Sequence, residues 1–284
     1  LLKTFKRLDN IENNSNSSNS KRYINVDASK SFNSINVKSG IEYKQSFFND
    51  KINLPKADII TSTNVFQHTK DIHSFLRGIV KHLDGIWILE FPYTFKTINT
   101  LQFDQFYHEH YYYWLITPLE KLFNKYGLKI IHIEENSIHG GSIRVWSAKK
   151  ENSANEVSEV INDYKDRERK LNLESFNKDV KNYMKEAKNF IDSLPGKTVF
   201  FGAAAKGCVF LNALGIDINS MKDAYIIDDT KAKQGLYLPG TGFKIYSRER
   251  LSQDEVQNII ILPHNFGEHI ANLLKYDSNR KKIF

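Results

Sequence analysis

The sequence predicts an α/β protein with two sheet-bearing parts joined by helices. Three observations carry that expectation. Short apolar runs ending in polar residues alternate with stretches of helical spacing. Gly85-Ile86-Trp87-Ile88-Leu89-Glu90-Phe91-Pro92 lacks a solvated face, as in a parallel sheet covered on both sides. After Pro195-Gly196 the same strand–turn–helix order begins again.

The elements follow in order. Leu1–Leu8 is expected to be a short amphipathic helix, and Asn13–Ser20, all Asn and Ser, a low-complexity loop. Tyr23–Asp27 reads as a strand ending in an acid, and Ala57–Asn64 as a strand ending in polar residues. Ile72, Phe75, Leu76, Ile79, Val80 and Leu83 define a helix over Asp71–Leu83. Thr117-Pro118 predicts a helix start, with Thr as N-cap and Pro at the first position, and Tyr126-Gly127 its end. Leu128–Glu134 and Ser142–Lys149 are expected to close the first part as an antiparallel pair.

The division expected is 1–150 for the first part, 151–195 for a helical connector and 196–284 for the second part. The connector holds charges of both signs, with apolar residues at Val157, Val160, Ile161 and Tyr164, then Val180, Met184, Ala187, Ile191 and Leu194. Beyond it, Thr198–Phe201, Asp223–Ile227 and Asn258–Leu262 read as strands and Cys208–Leu214 as a helix.

At 284 residues, with 40% hydrophobic and 26% charged, the chain can bury two cores. Its lone cysteine, Cys208, excludes an internal disulfide framework and a multi-cysteine metal site within the chain. That usage, with no visible signal peptide or membrane-length apolar run, predicts a cytoplasmic protein. The net charge of +7 raises a nucleic-acid reading. The charges are mixed, however, and the tight basic run Arg280-Lys281-Lys282 lies at the terminus. An anionic small molecule such as a nucleotide diphosphate accounts for the excess equally well.

Tyr107-His108-Glu109-His110 is the segment richest in proton chemistry. The spacing of His108 and His110 puts both on one side only in an extended chain. It is not the helical pair of a zinc protease, and no further ligand cluster supports a metal. The bland reading is a polar loop beside packing aromatics Tyr111, Tyr112, Tyr113 and Trp114. His68 follows a strand and precedes a helix, where open α/β sheets bind ligands, but a lone His there is also an ordinary surface residue.

Asp27, at a strand end, suits ribose hydroxyls or caps the next turn. The glycine-rich turn that should precede it by about twenty residues is absent, so the sequence is expected to be an N-terminally truncated fragment. His139-Gly140-Gly141-Ser142-Ile143-Arg144 offers a close backbone approach and a guanidinium for phosphate, or a plain hairpin turn with a strand Arg. Gly202–Gly207 resembles a degenerate phosphate turn, with Lys206 at a helix start and Asp228 after the next strand for a sugar or ribose hydroxyl.

The ordered set of segments resembles the sugar C-methyltransferases that act on nucleotide-linked 4-keto deoxysugars. The matching stretches are Ala57–Ile60 through His68, Glu90-Phe91-Pro92-Tyr93, Tyr107–His110, His139–Arg144, Gly202–Gly207, Gln234-Gly235 with Pro239-Gly240-Thr241, and Leu262-Pro263-His264-Asn265. His264 departs from the Trp usual there. The resemblance implies an S-adenosylmethionine-dependent class I methyltransferase domain of Rossmann-like fold, incomplete here. A small zinc domain precedes it in the family, and a second Rossmann-like domain follows and helps bind the nucleotide-sugar. It further implies that His110 is the base removing a C3 proton. Glu109, Tyr107 and His68 would position the sugar or stabilise the enolate. Asp27 and Asn64 would hold the cofactor; His139, Arg144, Lys206 and Asp228 would meet the substrate. No metal is required for that step. The expected partner is a nucleotide-diphosphate sugar, with neither nucleic acid nor membrane. Alternatives are a non-catalytic nucleotide-sugar-binding relative and, more weakly, a nicotinamide oxidoreductase using the Gly202 turn.

Overall fold

Three sheets carry the described residues, and the four-stranded and five-stranded ones each pack against apolar cores of their own. The structure, a computed structural model, describes residues 21–29, 40–152, 158–277 and 282–284. The expected Leu1–Leu8 helix, the Asn13–Ser20 segment, Val157, Arg280 and Lys281 lie outside the described residues.

Strand β1 (Ile24–Asp27) pairs in parallel with β2 (Glu42–Gln45), a strand that carries no apolar signal in the sequence. A second sheet runs in the order β3 (Ala57–Thr63), β4 (Leu83–Pro92), β6 (Ser142–Lys149), β5 (Leu128–Asn136). Helix α1 (Ile72–His82) connects β3 to β4, which lie parallel. The β4–β6 and β6–β5 pairs are antiparallel. The sheet is therefore mixed, and the solvent-free face of β4 reflects cover by helices rather than an all-parallel arrangement. Its core is an aromatic stack: the Phe66 ring lies 5.1 Å from Trp114 and 5.6 Å from Trp87, and Trp87 lies 5.1 Å from Phe123. Helix α2 (Thr94–Asn99), too short to show a periodic signal, follows β4.

Helix α3 spans Ile116–Lys125, so Thr117 is not its N-cap and Pro118 is its third residue. The cap comes from elsewhere. Helix α4 (Val160–Glu168) brings the buried Glu168 carboxylate to the start of α3, where it accepts from the N–H groups of Ile116 and Thr117, the Thr117 hydroxyl and the Tyr93 hydroxyl. An anion at that point completes the orphan donors of the first turn and suits the helix dipole. Gly127, at φ 69°, closes α3 as expected.

The connector holds α4 and the longer α5 (Leu173–Ser193), which Asn172 caps through the N–H groups of Glu174 and Ser175. A five-stranded parallel sheet follows, in the order β11 (Lys282–Ile283), β10 (Asn258–Ile261), β7 (Thr198–Phe201), β8 (Ile226–Ile227), β9 (Ile245–Tyr246). Helix α6 spans Ala205–Ala213, beginning three residues before the expected Cys208, so Lys206 and Gly207 belong to its first turn. Helices α7 (Arg250–Gln253) and α8 (Gly267–Asp277) complete this part. Among the described residues no helix is long and apolar enough to cross a membrane.

The two parts meet at a mixed junction. Phe103 stacks on Phe210 of α6 with centroids 5.8 Å apart, and polar groups from 102–105, 138–140 and 264–265 gather beside it.

Candidate active site

A β-turn builds the centre of the site. The His110 N–H donates to the Tyr107 carbonyl (3.0 Å), so Tyr107 and His110 face each other while His108 and Glu109 form the tip. The segment is not extended here, and His108 and His110 do not share a side: His108 is 90% exposed, whereas His110 is 8% exposed. Past the turn the chain is extended, and burial alternates. Trp114 enters the core, while Tyr111 and Tyr113 remain partly exposed. Only part of the aromatic run is packing.

Both His110 nitrogens are committed. Nδ1 donates to the Gln105 carbonyl (3.0 Å), which leaves Nε2 as the acceptor for the Tyr107 hydroxyl at 2.8 Å. The Tyr107 and His110 ring centroids are 4.1 Å apart, and the His68 ring lies 4.7 Å from His110. His68 sits on the 3-10 turn Phe66–His68 beyond β3, and its Nδ1 bonds the Glu109 carbonyl at 2.8 Å. Burial, reinforced by electrostatic repulsion from the His68 ring, pushes His110 down to about 4, so the His110 ring is neutral at neutral pH. Burial and the Glu109 charge push Tyr107 up to about 12, which keeps its proton in place as a donor. The Glu109 carboxylate turns outward to His108 at 3.3 Å. Its main chain, not its side chain, touches the cluster.

Strained backbone gathers around this centre. Asn64, Leu101 and His139 are the non-glycine residues at positive φ among those described, at 53°, 52° and 54°. Asn64 lies just past β3, and its Oδ1 accepts from Gln67 Nε2 (3.3 Å). Gln67 itself is buried, with Oε1 unpartnered, and it lines a small cavity together with Gln105, His110 and Tyr113.

The remaining expected residues divide. The Lys206 ammonium reaches from α6 to the His139 carbonyl (3.2 Å), which brings the two parts together beside His110. Burial lowers the Lys206 pKa against the opposing pull of Asp104, and burial likewise lowers that of His139. Arg144 is spent within its own sheet: Nε and Nη2 donate to Glu90, and Nη1 donates to Glu134 at 2.6 Å. Asp228 is similarly engaged. Its Oδ2 accepts from the Ala203 N–H (2.8 Å) and pairs with Lys233 (3.3 Å), and its Oδ1 accepts from Thr230. Neither presents a free fork or carboxylate to a ligand.

The glycines also serve the protein. A Cβ on Gly140 would stand 2.5 Å from Gln102 Oε1 and 2.8 Å from Asn265 Oδ1, and one on Gly202 would stand 2.4 Å from Pro263. Close packing requires both glycines, across the junction at Gly140 and within the second part at Gly202. Asp27 stands apart on the β1–β2 sheet. Its Oδ1 accepts the Ser29 N–H at 2.7 Å, and its Oδ2 has no hydrogen bond among the described residues. Gln102, Asp104 and Gln105 carry no signal in the sequence, because scattered polar residues on either side of Phe103 look like an ordinary loop. Asp104 is buried, with Oδ1 unpartnered and Oδ2 3.7 Å from His264. The unusual His264 therefore supplies a nitrogen opposite that carboxylate. No three His, Cys, Asp or Glu side chains among the described residues are placed to hold a metal.

Comparison with known proteins places the chain in a class. Residues 137–284 match the family described as C-methyltransferase C-terminal domain, over half of the chain, and the protein belongs to that family. It is similar to C-methyltransferase NovU of Streptomyces niveus, 28% identical over 227 residues that cover 76% of this chain and 53% of NovU. The chain thus spans about half the length of that relative. Among solved structures, an S-adenosylmethionine-dependent methyltransferase from Clostridium acetobutylicum overlaps 45% of this chain and 75% of its own, at 14% identity and a TM-score of 0.37. Magnesium protoporphyrin IX methyltransferase from Synechocystis PCC 6803 with bound SAH overlaps 38% of this chain and 51% of its own, at 14% identity and a TM-score of 0.32. At those scores the overlap is partial.

Proposed function

We propose that the protein acts in S-adenosylmethionine-dependent C-methylation, carrying a methyl group to C3 of a nucleotide-linked 4-keto deoxysugar in the cytoplasm. The observation that supports this most is the His110 ring, buried, neutral and fixed by Gln105 with Nε2 turned to Tyr107. That is the arrangement a carbon acid needs. A carbonyl at C4 acidifies the C3 proton, His110 Nε2 takes it, and the electron pair moves onto the C4 oxygen as an enolate. Once Nε2 carries a proton, the Tyr107 hydroxyl loses its acceptor there and is free to donate to the enolate oxygen. His68, whose ring lies beside that of His110, would contact the sugar in this reading.

S-adenosylmethionine supplies an electrophilic methyl group to that carbon nucleophile. The donor and acceptor set fits it. Asp27 ends a parallel strand with Oδ2 left to accept ribose hydroxyls, and Asn64 stands at the end of β3, the side on which α/β sheets bind ligands. The residues 1–150 then form the methyl-transfer part and 196–284 the nucleotide-sugar part, with 151–195 linking them. Lys206, in the first turn of α6 at the junction, is the cation for the diphosphate.

The test needs only the carbon-acid step. In deuterated water, wild-type protein should exchange the C3 proton of a nucleotide-linked 4-keto-6-deoxyglucose, followed by NMR. His110→Asn should lower that rate by about 10²- to 10⁴-fold. An unchanged rate in the variant, or no exchange by wild type across the common nucleotides, overturns the reading.

A further inference from the structure

We infer that Gln105 is the positioning residue of His110, and that the His139 carbonyl ties it to the second part of the protein. The inference rests on the reading of His110 as the base. Gln105 is 2% exposed and sits on the 3-10 turn Phe103–Gln105. Its carbonyl accepts from His110 Nδ1 (3.0 Å) and from the Tyr113 hydroxyl (3.3 Å). Its side-chain Nε2 donates to the His139 carbonyl (3.2 Å) and to Gln102 Oε1 (3.3 Å). Gln102 in turn donates to the Gly140 carbonyl at 2.7 Å.

The consequence is geometric. A main-chain carbonyl fixes an imidazole tautomer only if its own peptide plane is held. The anchored Gln105 amide holds that plane from the other side of the residue. The anchor point is itself special: His139 adopts the left-handed region at φ 54°, a conformation that persists only where the surroundings impose it. Lys206 shares the same acceptor, and a carbonyl with two lone pairs satisfies both donors. A continuous line of hydrogen bonds thus runs from α6 of the second part, through His139 and Gln105, to the basic ring. Gln105 touches no reacting atom in this scheme. It sets which nitrogen of His110 is basic and where that nitrogen points.

The test reads the tautomer directly. Long-range proton–nitrogen NMR on protein labelled at histidine nitrogen, with His110→Asn assigning the resonance, should find His110 in the Nδ1–H form. Gln105→Met and Gln105→Asn, the latter one methylene too short to reach His139, should both give a mixture of tautomers. Both should also slow C3 exchange by about tenfold to hundredfold, with the KM for the nucleotide-sugar unchanged. A wild-type Nε2–H tautomer overturns the inference, and that measurement needs no variant to fold. So does a pure Nδ1–H form with native exchange in either folded variant. A wild-type Nδ1–H form lost in the variants, but no exchange by wild type, upholds the positioning and overturns the methylation reading instead.

Discussion

The Tyr107 hydroxyl lies 2.8 Å from His110 Nε2, the one nitrogen of that ring that Gln105 leaves free. The phenol is a poor acid here, held at about 12, and the imidazole is held at about 4. Each group is therefore kept in its neutral, reactive form by the same buried surroundings. A donor and a base that face each other can exchange roles only when a third group arrives, which makes the pair a resting state rather than a finished proton transfer.

His68 acts on His110 electrostatically. After burial itself, electrostatic repulsion from the His68 ring is the largest influence holding His110 down. His68→Asn should therefore raise the His110 pKa, as followed by NMR titration of the ring. A value that stays near 4 means that burial alone sets it. The C3 exchange rate in His68→Asn should show its acid limb at correspondingly higher pH.

The same depression makes stability depend on pH. In the unfolded chain His110 titrates near its ordinary value of about 6.5, and in the fold near 4. Between those values the unfolded chain binds more protons, so the contribution is complete above about pH 6.5 and is lost as the pH falls toward 4. His110→Asn lacks this contribution. Wild type should lose up to about 3 kcal/mol relative to the variant between pH 6.5 and 4, read from urea unfolding at several pH values. A constant difference between the two proteins across that window contradicts the low pKa.

Strands with strong apolar runs were legible in the sequence, and Thr198–Phe201 and Ser142–Lys149 form with the expected limits. The start of α3 was not, because its cap is Glu168, some fifty residues away along the chain. Local rules point to Thr117-Pro118 when the true partner is distant. The site divides in the same way. Tyr107, His110 and His68 were legible as chemistry and do converge. Arg144 and Asp228 were legible as charges, but the carboxylates and N–H groups that occupy them come from other strands and turns. Gln105 was silent, since its role is defined entirely by what lies opposite it in space.

Glu168 gives that distant cap a measurable weight. Four donors converge on one buried carboxylate, which joins α4, α3 and the end of β4 through Tyr93. Glu168→Ala strands those donors in a buried site, at a cost of about 3 kcal/mol. Urea unfolding should show a lower midpoint with little change in slope. A loss below about 0.5 kcal/mol would mean that water replaces the carboxylate at the start of α3.

Leu101 offers the opposite sign. Helix α2 ends with the Gln102 N–H on the Thr97 carbonyl (2.9 Å) and the Leu101 N–H on the Ile98 carbonyl (3.2 Å). This is the paired C-terminal arrangement whose left-handed residue is usually glycine. Here that residue is Leu101, at φ 52°, a conformation that costs a side-chain-bearing residue about 1–2 kcal/mol. Glycine removes the steric cost and gives back part of the gain as chain entropy in the unfolded state. Leu101→Gly should therefore stabilise the protein by about 0.5–1 kcal/mol, visible as a raised midpoint in urea. The turn that follows carries Gln102 and Gln105, so the same variant tests whether strain at Leu101 matters to the base. A raised midpoint with unchanged C3 exchange shows the strain to be incidental. A raised midpoint with slower exchange shows that the tight left-handed exit of α2 keeps Gln105 against His139 and His110.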